Sequence, residues 1–313
     1  MQTRKEEFSR RLLKFQLMST LPVILDTDIG DDIDDALALA VILNSPELDL
    51  IGITTVFRNA PRRAVLADHL LSVWEHPEVP VCAGVSRPLV QAFDPQLGSQ
   101  FEILDEDTLD EPTEHAVDFL IAETGAEEPE PPENPVTILA IGPLTNVALA
   151  IAREPQLVSS SRLVLMGGAW DTQSPYFKSE WNIECDPEAA HMVFESGIDI
   201  SMIGLDVTMR CMLEDKHVQQ IASHQTPQAQ LLSRLIELWM RDTNHPPILH
   251  DPLAVLALFD DCLKFEEKKI EIALCGEERG QTRVLRGKSN ARVAVDVDVP
   301  RAIDLFMERL LAL

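Results

Sequence analysis

The stretch VILDTDIGDDIDDALAL, residues 23–39, places six aspartates (Asp26, Asp28, Asp31, Asp32, Asp34 and Asp35) within ten positions. Lys14 is the last basic residue before it and Arg58 the first after it, so the neighbouring chain offers no ammonium or guanidinium partner. Like charges this close resist ionising together unless a cation intervenes, and carboxylate oxygens are the hard donors that Ca²⁺ or Mg²⁺ takes. A cation from solution is the simplest partner. Asp34 and Asp35 also open a helical pattern, where free N–H groups and the positive dipole end favour acid. Capping leaves Asp26, Asp28, Asp31 and Asp32 without a reason. HDPLAV and CDPEAA read as helix openings with Asp at the cap and Pro next, so Asp251 and Asp186 are either caps or site residues.

These residues need a frame. Short β-branched runs alternate with helical patterns: LPVILDT then DDALALAVILN, LDLIGITTVF then RRAVLADHLLSVW, VTILAI then NVALAIARE, RLVLMGG then PEAAHMVFES. Continuous apolar strands separated by helices predict an α/β fold, a mostly parallel sheet covered by helices on both faces. Ligands of such a sheet gather at the carboxyl ends of its strands, which is where VILDTD runs into acid. The Pro/Glu stretch 125–135 reads as an exposed loop. After about residue 212 the pattern predicts a mostly helical part, closed by a strand and a helix in RVAVDVDVPRAIDLFMERLLAL.

With 313 residues and 45% hydrophobic content, the chain can bury a large core, read here as a single domain over 18–313. Its 26 basic against 52 acidic residues would repel phosphate backbones and anionic lipid heads, which argues against nucleic acid and membrane partners. Five scattered cysteines without a CxxC pair fit free thiols in a reducing, cytoplasmic compartment. No run reaches the roughly 18 apolar residues of a membrane span. Residues 1–17, ahead of Met18, read as a helical or disordered extension.

DTDIGDDIDDALAL resembles the amino-terminal signature of the inosine–uridine type of nucleoside hydrolases, commonly DTDPGxDDxxAL. ELDLIGITTVFRN, ILAIGPLTNVALA, VLMGGAW, EWNIECDPEAAHMVF and LHDPLAV follow in the family's order and approximate spacing. The resemblance covers roughly residues 21–313. It implies Ca²⁺ held by Asp28, Asp35, the backbone carbonyl of Ile141 and Asp251, and hydrolysis of the N-glycosidic bond of ribonucleosides to ribose and free base. It further implies Asp28 as general base, a ribose pocket of Asp34, Asn59, Glu180 and Asn182 lined by Met166, and a homodimer or homotetramer. His250, beside Asp251, is read either as proton donor to the departing base or as a satisfied structural histidine. Trp239 and His245 read as rim residues, and Asn146 as a helix-start residue.

Two departures stand out. Residues 91–108 carry no histidine where many family members have HGxxG, and VFRN puts Arg58 where glycine is usual. The chain's DIGDDIDD is two residues longer than DPGxDD, so matching Asp34 and Asp35 requires a small insertion; otherwise Asp32 takes the first role. Two other readings compete: a non-catalytic Ca²⁺-dependent riboside-binding protein on the same fold, and a DxD-type Mg²⁺-dependent phosphatase with Asp26 as nucleophile.

Overall fold

A computed structural model describes residues 20–92, 95–104, 115–128, 130, 132–176 and 180–312. The reading of 1–17 as an extension falls outside them. The strands are β1 (Leu21–Thr27), β2 (Leu48–Thr55), β3 (Val81–Ala83), β4 (Val136–Ala140), β5 (Ser161–Met166), β6 (Asp199–Ile203), β7 (Leu263–Ile272), β8 (Thr282–Leu285) and β9 (Ala291–Val297). They form one sheet in the order β3-β2-β1-β4-β5-β6-β9-β7-β8. Every neighbouring pair from β3 to β9 is parallel, whereas β7 runs antiparallel to both β9 and β8.

The helices are α1 (Asp34–Leu43), α2 (Ala60–Val73), α3 (Ala116–Glu123), α4 (Thr145–Arg153), α5 (Leu157–Ser160), α6 (Trp181–Cys185), α7 (Pro187–Ser196), α8 (Leu205–Thr208), α9 (Asp215–Ser223), α10 (Pro227–Thr243), α11 (His250–Leu256) and α12 (Val299–Leu310). They cover both faces of the sheet. One apolar cluster joins α1, α2, α10, α11 and α12, and another joins α3, α4 and α7. Strands buried on both sides have no polar face, which is why β1 and β4 read as unbroken apolar runs.

The mostly helical carboxyl-terminal part holds only in its first half, where α9 to α11 follow one another. β7 and β8 then form an antiparallel edge. LKFEEKKIEI, between β9 and β8, carries charge on its solvated positions, as an antiparallel strand with a wet face does, so it lacks the apolar run that marks the parallel strands.

Candidate active site

β1, β2, β4, β5 and β6 end along one edge of the sheet, and the segments after them line a cavity of about 500 Å³. Asp26, the next-to-last residue of β1, pairs in register with Thr54 and Ala140. The chain leaving β1 then turns through Gly30, whose φ of 115° suits only glycine. A Cβ there would also collide with the Phe101 ring. Gly142 permits the second close approach: a Cβ at that position would lie 2.9 Å from both Asp28 N and Asp28 Oδ1. The Asp28 carboxylate therefore sits directly against the turn that follows Ile141.

Asp34, Asp35 and Asp251 converge, one carboxylate oxygen of each lying within 4.8 Å of the others, all three buried. None of them caps its helix. The N-cap residues of α1 and α11 are Ile33 and Leu249, and the acids lie inside the first turns. Asp34 Oδ2 accepts from Asp251 N at 3.2 Å, and Asp35 Oδ1 accepts from Thr27 Oγ1 at 2.5 Å. Among the described residues, no ion pair reaches Asp28, Asp34, Asp35 or Asp251. Burial pushes the Asp28 carboxyl up to about 7, with the Arg63 guanidinium opposing. Burial and mutual repulsion raise Asp34, Asp35 and Asp251 well above the usual carboxylate range. Such a group holds protons until a cation makes ionisation favourable. Its all-oxygen donor set fits a hard divalent ion.

Asp31 behaves differently, which corrects the expectation that the whole cluster lacks basic partners. Arg58 Nη1 and Arg63 Nη2 each donate to Asp31 Oδ2 at 2.8 Å. Arg63 is fully buried; its Nε donates to Phe57 O at 2.9 Å, and its Nη1 donates to the carbonyls of Asp28 and Ile29. Asp32 Oδ1 accepts from the Ile33 amide, and the Asp32 carbonyl accepts from Gln100 Nε2. Of the two aspartates of the longer loop, Asp31 thus pairs with two arginines and Asp32 accepts from a backbone amide, whereas Asp34 and Asp35 converge with Asp251.

The remaining candidates divide. Met166, Glu180, Asn182, Ile141 and His250 line the cavity with Asp28. Glu180 is a buried N-cap rather than a solvated acid: Oε1 accepts from Asn182 N at 2.9 Å, and Oε2 from Gly168 N at 2.9 Å and Ile183 N at 3.0 Å. Asn182 Nδ2 donates to Ile141 O at 2.9 Å and to Met166 O at 3.1 Å, which leaves its Oδ1 for a ligand. Ile141 O keeps a second lone pair. Asn59 is not brought to the cavity wall; its Oδ1 caps α2 by accepting from Arg62 N at 3.2 Å. Asp186 caps α7. Asn146 Nδ2 ties Asp26 Oδ1 to Thr55 O, and its Oδ1 accepts from Val85 N, a structural knot between strand ends.

His250 Nδ1 lies 2.8 Å from Thr208 Oγ1 on α8. Burial, with His245 adding repulsion, lowers the imidazole to about 4, so it is neutral at neutral pH. Trp239 lines the same wall and meets His245 edge-to-face, centroids 4.7 Å apart. Arg58, Trp181, Leu205, Met209 and Thr243 complete the lining and were not among the sequence candidates. Asp26 is fully buried with Oδ1 committed to Thr54 and Asn146, and it does not line the cavity, so it is not placed to attack a phosphoryl group.

A mostly parallel sheet with a buried acidic cavity at the carboxyl ends of its strands defines an α/β protein with a site for a small ligand. The family model "Inosine-uridine preferring nucleoside hydrolase" matches residues 23–304. The chain belongs to that family and is an N-glycosyl hydrolase. It is 33% identical over 309 residues to the pyrimidine-specific ribonucleoside hydrolase RihA of Escherichia coli O1:K1, covering 93% of this chain and 98% of that one. Among solved structures it resembles the plant nucleoside hydrolase PpNRh1, with TM-score 0.83 and 26% identity over 94% of this chain and 100% of that one. It also resembles a purine-preferring ribonucleoside hydrolase from Gardnerella vaginalis, with TM-score 0.77 and 30% identity over 92% and 98%. No helix among the described residues is long and apolar enough to cross a membrane, and all five cysteines are free.

Proposed function

We propose that this protein hydrolyses the N-glycosidic bond of ribonucleosides in a Ca²⁺-dependent reaction, releasing ribose and free base in the cytoplasm as a homo-oligomer, dimer or tetramer. The observation that carries this reading is the convergence of Asp34, Asp35 and Asp251 beside Asp28, with no ion pair among the described residues to neutralise them. The Ca²⁺ would be held by Asp28, Asp35, Asp251 and the Ile141 carbonyl, and when bound it supplies positive charge that orients the ribose diol and a water molecule. Asp28 takes the proton of that water as its oxygen bonds to C1′ and the bond from C1′ to the base nitrogen breaks. Asp34 and Asn182 Oδ1 accept from the ribose hydroxyls, Glu180 fixes the α6 turn that carries Asn182, and Met166 packs beside the sugar. The free ring N–H of neutral His250 donates a hydrogen bond to the departing base nitrogen, which leaves as an anion and takes its proton from solvent.

The relatives' stated preferences diverge, pyrimidine in one and purine in another, so the proposed substrate class is ribonucleosides, with no base preference assigned. A pocket of buried polar groups rejects a substrate that leaves them unpaired, by ~10⁴ in kcat/KM where an apolar pocket reaches ~10². Purine and pyrimidine ribonucleosides should therefore release ribose far faster than their 2′-deoxy counterparts. Comparable kcat/KM for the two sugars would remove the ribose pocket, and binding without turnover would favour the riboside-binding reading.

A further inference from the structure

Thr27 closes β1 and is buried. The sheet fixes its backbone, which pairs in register with Thr55 and accepts from Val56 N at 3.0 Å. A β-branched side chain has few rotamers, so the Thr27 hydroxyl is a stiff reference point at the carboxyl end of the strand. Two bonds meet on that oxygen. Ile29 N donates to Thr27 Oγ1 at 3.1 Å and closes a turn around Asp28, while Thr27 Oγ1 donates to Asp35 Oδ1 at 2.5 Å. A hydroxyl carries one proton, and with the Ile29 amide on one of its lone pairs, that proton goes to the carboxylate.

Both bonds end at a proposed Ca²⁺ ligand. Asp28 lies between the two residues that the turn joins, so the turn sets where its carboxylate starts. Asp35 stands in the first turn of α1, whose N-cap Ile33 makes no side-chain bond, and Thr27 supplies the hydrogen bond that holds its carboxylate. With Oδ1 committed, the group meets Asp34 and Asp251 in one orientation. Asp34 is braced separately, through Asp251 N. Unbraced, three buried like charges would turn away from one another, and gathering them on a cation would cost side-chain freedom. Thr27 itself does not line the cavity, so whatever it contributes passes through these two aspartates.

We propose that Thr27 is a positioning residue for the cation, its single hydroxyl setting the Asp28 turn and the Asp35 carboxylate together. This rests on the Ca²⁺ ligand set of the ribonucleoside reading above. Hydrogen-bond partners of metal ligands orient those ligands, and removing one weakens metal binding by ~10- to 100-fold.

The test is the Ca²⁺ dissociation constant of chelator-stripped protein, titrated with Ca²⁺ alone in a calorimeter, for wild type, Thr27→Val, Thr27→Ala, Thr27→Ser and Thr124→Val. Thermal unfolding of each stripped protein verifies that it is folded. Valine keeps the shape of threonine without the hydroxyl; serine keeps the hydroxyl. Thr124 Oγ1 donates to Leu120 O at 2.7 Å at the end of α3, so Thr124→Val reads what the loss of a buried structural bond does alone. Thr27→Val and Thr27→Ala should weaken Ca²⁺ binding by ~10- to 100-fold, whereas Thr27→Ser and Thr124→Val should stay within about threefold of wild type. Ca²⁺ binding within about threefold of wild type in Thr27→Val and Thr27→Ala overturns the proposal and leaves the Ca²⁺ site standing. So does a Thr27→Ser or Thr124→Val protein as weak as Thr27→Val. Wild type that binds no Ca²⁺ overturns the Ca²⁺ reading, and this one with it.

Discussion

Arg63 shows how charge organises the site at the scale of single residues. Its guanidinium holds the Phe57, Asp28 and Ile29 carbonyls and the Asp31 carboxylate at once, so it fixes the loop that presents Asp28. Nothing in the RR pair of α2 announces a buried arginine, since two consecutive basic residues on a helix read as solvated. The aspartate run was legible because its members are contiguous. Arg58, Arg63 and Thr208 were not, because they meet the site residues only through tertiary contact. Thr208 matters for His250: its hydroxyl is the partner of Nδ1, leaving Nε2 for a ligand. His250→Ala should slow nucleosides, whose bases leave poorly, by ~10²-fold or more, the scale of losing one hydrogen-bond donor to charge that develops in the transition state, and an activated aryl riboside far less. Thr208→Val should lower the same ratio in the same direction. Equal slowing of both substrates would make His250 structural. The imidazole is neutral well above pH 4, so the loss should not depend on pH between 6 and 8.

At the scale of elements, loops after five parallel strands build the cavity, and the apolar runs of those strands were readable because burial on both faces removes polar alternation. β7 and β8 escaped that reading because antiparallel strands with a solvated face carry charge. Asn59 illustrates how a motif position and an element position diverge: it follows Arg58 on the cavity wall, yet its side chain caps α2. Asn59→Ala should therefore lower stability by ~1 kcal/mol, the usual worth of such a cap, with KM changed less than about twofold. Denaturant unfolding together with steady-state kinetics decides it. A KM rise of tenfold or more at unchanged stability would return Asn59 to the ribose pocket.

At the scale of the whole molecule, a chain with 52 acidic and 26 basic residues sits in a negative field that draws cations. Of the cavity's carboxylates, Asp28, Asp34, Asp35 and Asp251 have no ion pair among the described residues. A cation bound there is also linked to stability, since whatever binds only the folded state stabilises it by mass action. The carboxylates and the parallel frame were both visible in the amino-acid order. Base choice was not, because the His250 wall is assembled from α8, α10 and α11, whose cavity-facing residues are scattered from Leu205 to His250. The most direct measurement is ribose release from ribonucleosides by protein stripped with a chelator, its residual metal quantified, before and after graded addition of Ca²⁺. Ca²⁺ dependence predicts that turnover vanishes with the metal and returns in proportion to bound Ca²⁺, saturating at one ion per chain. Full turnover by protein verified to be metal-free would contradict it.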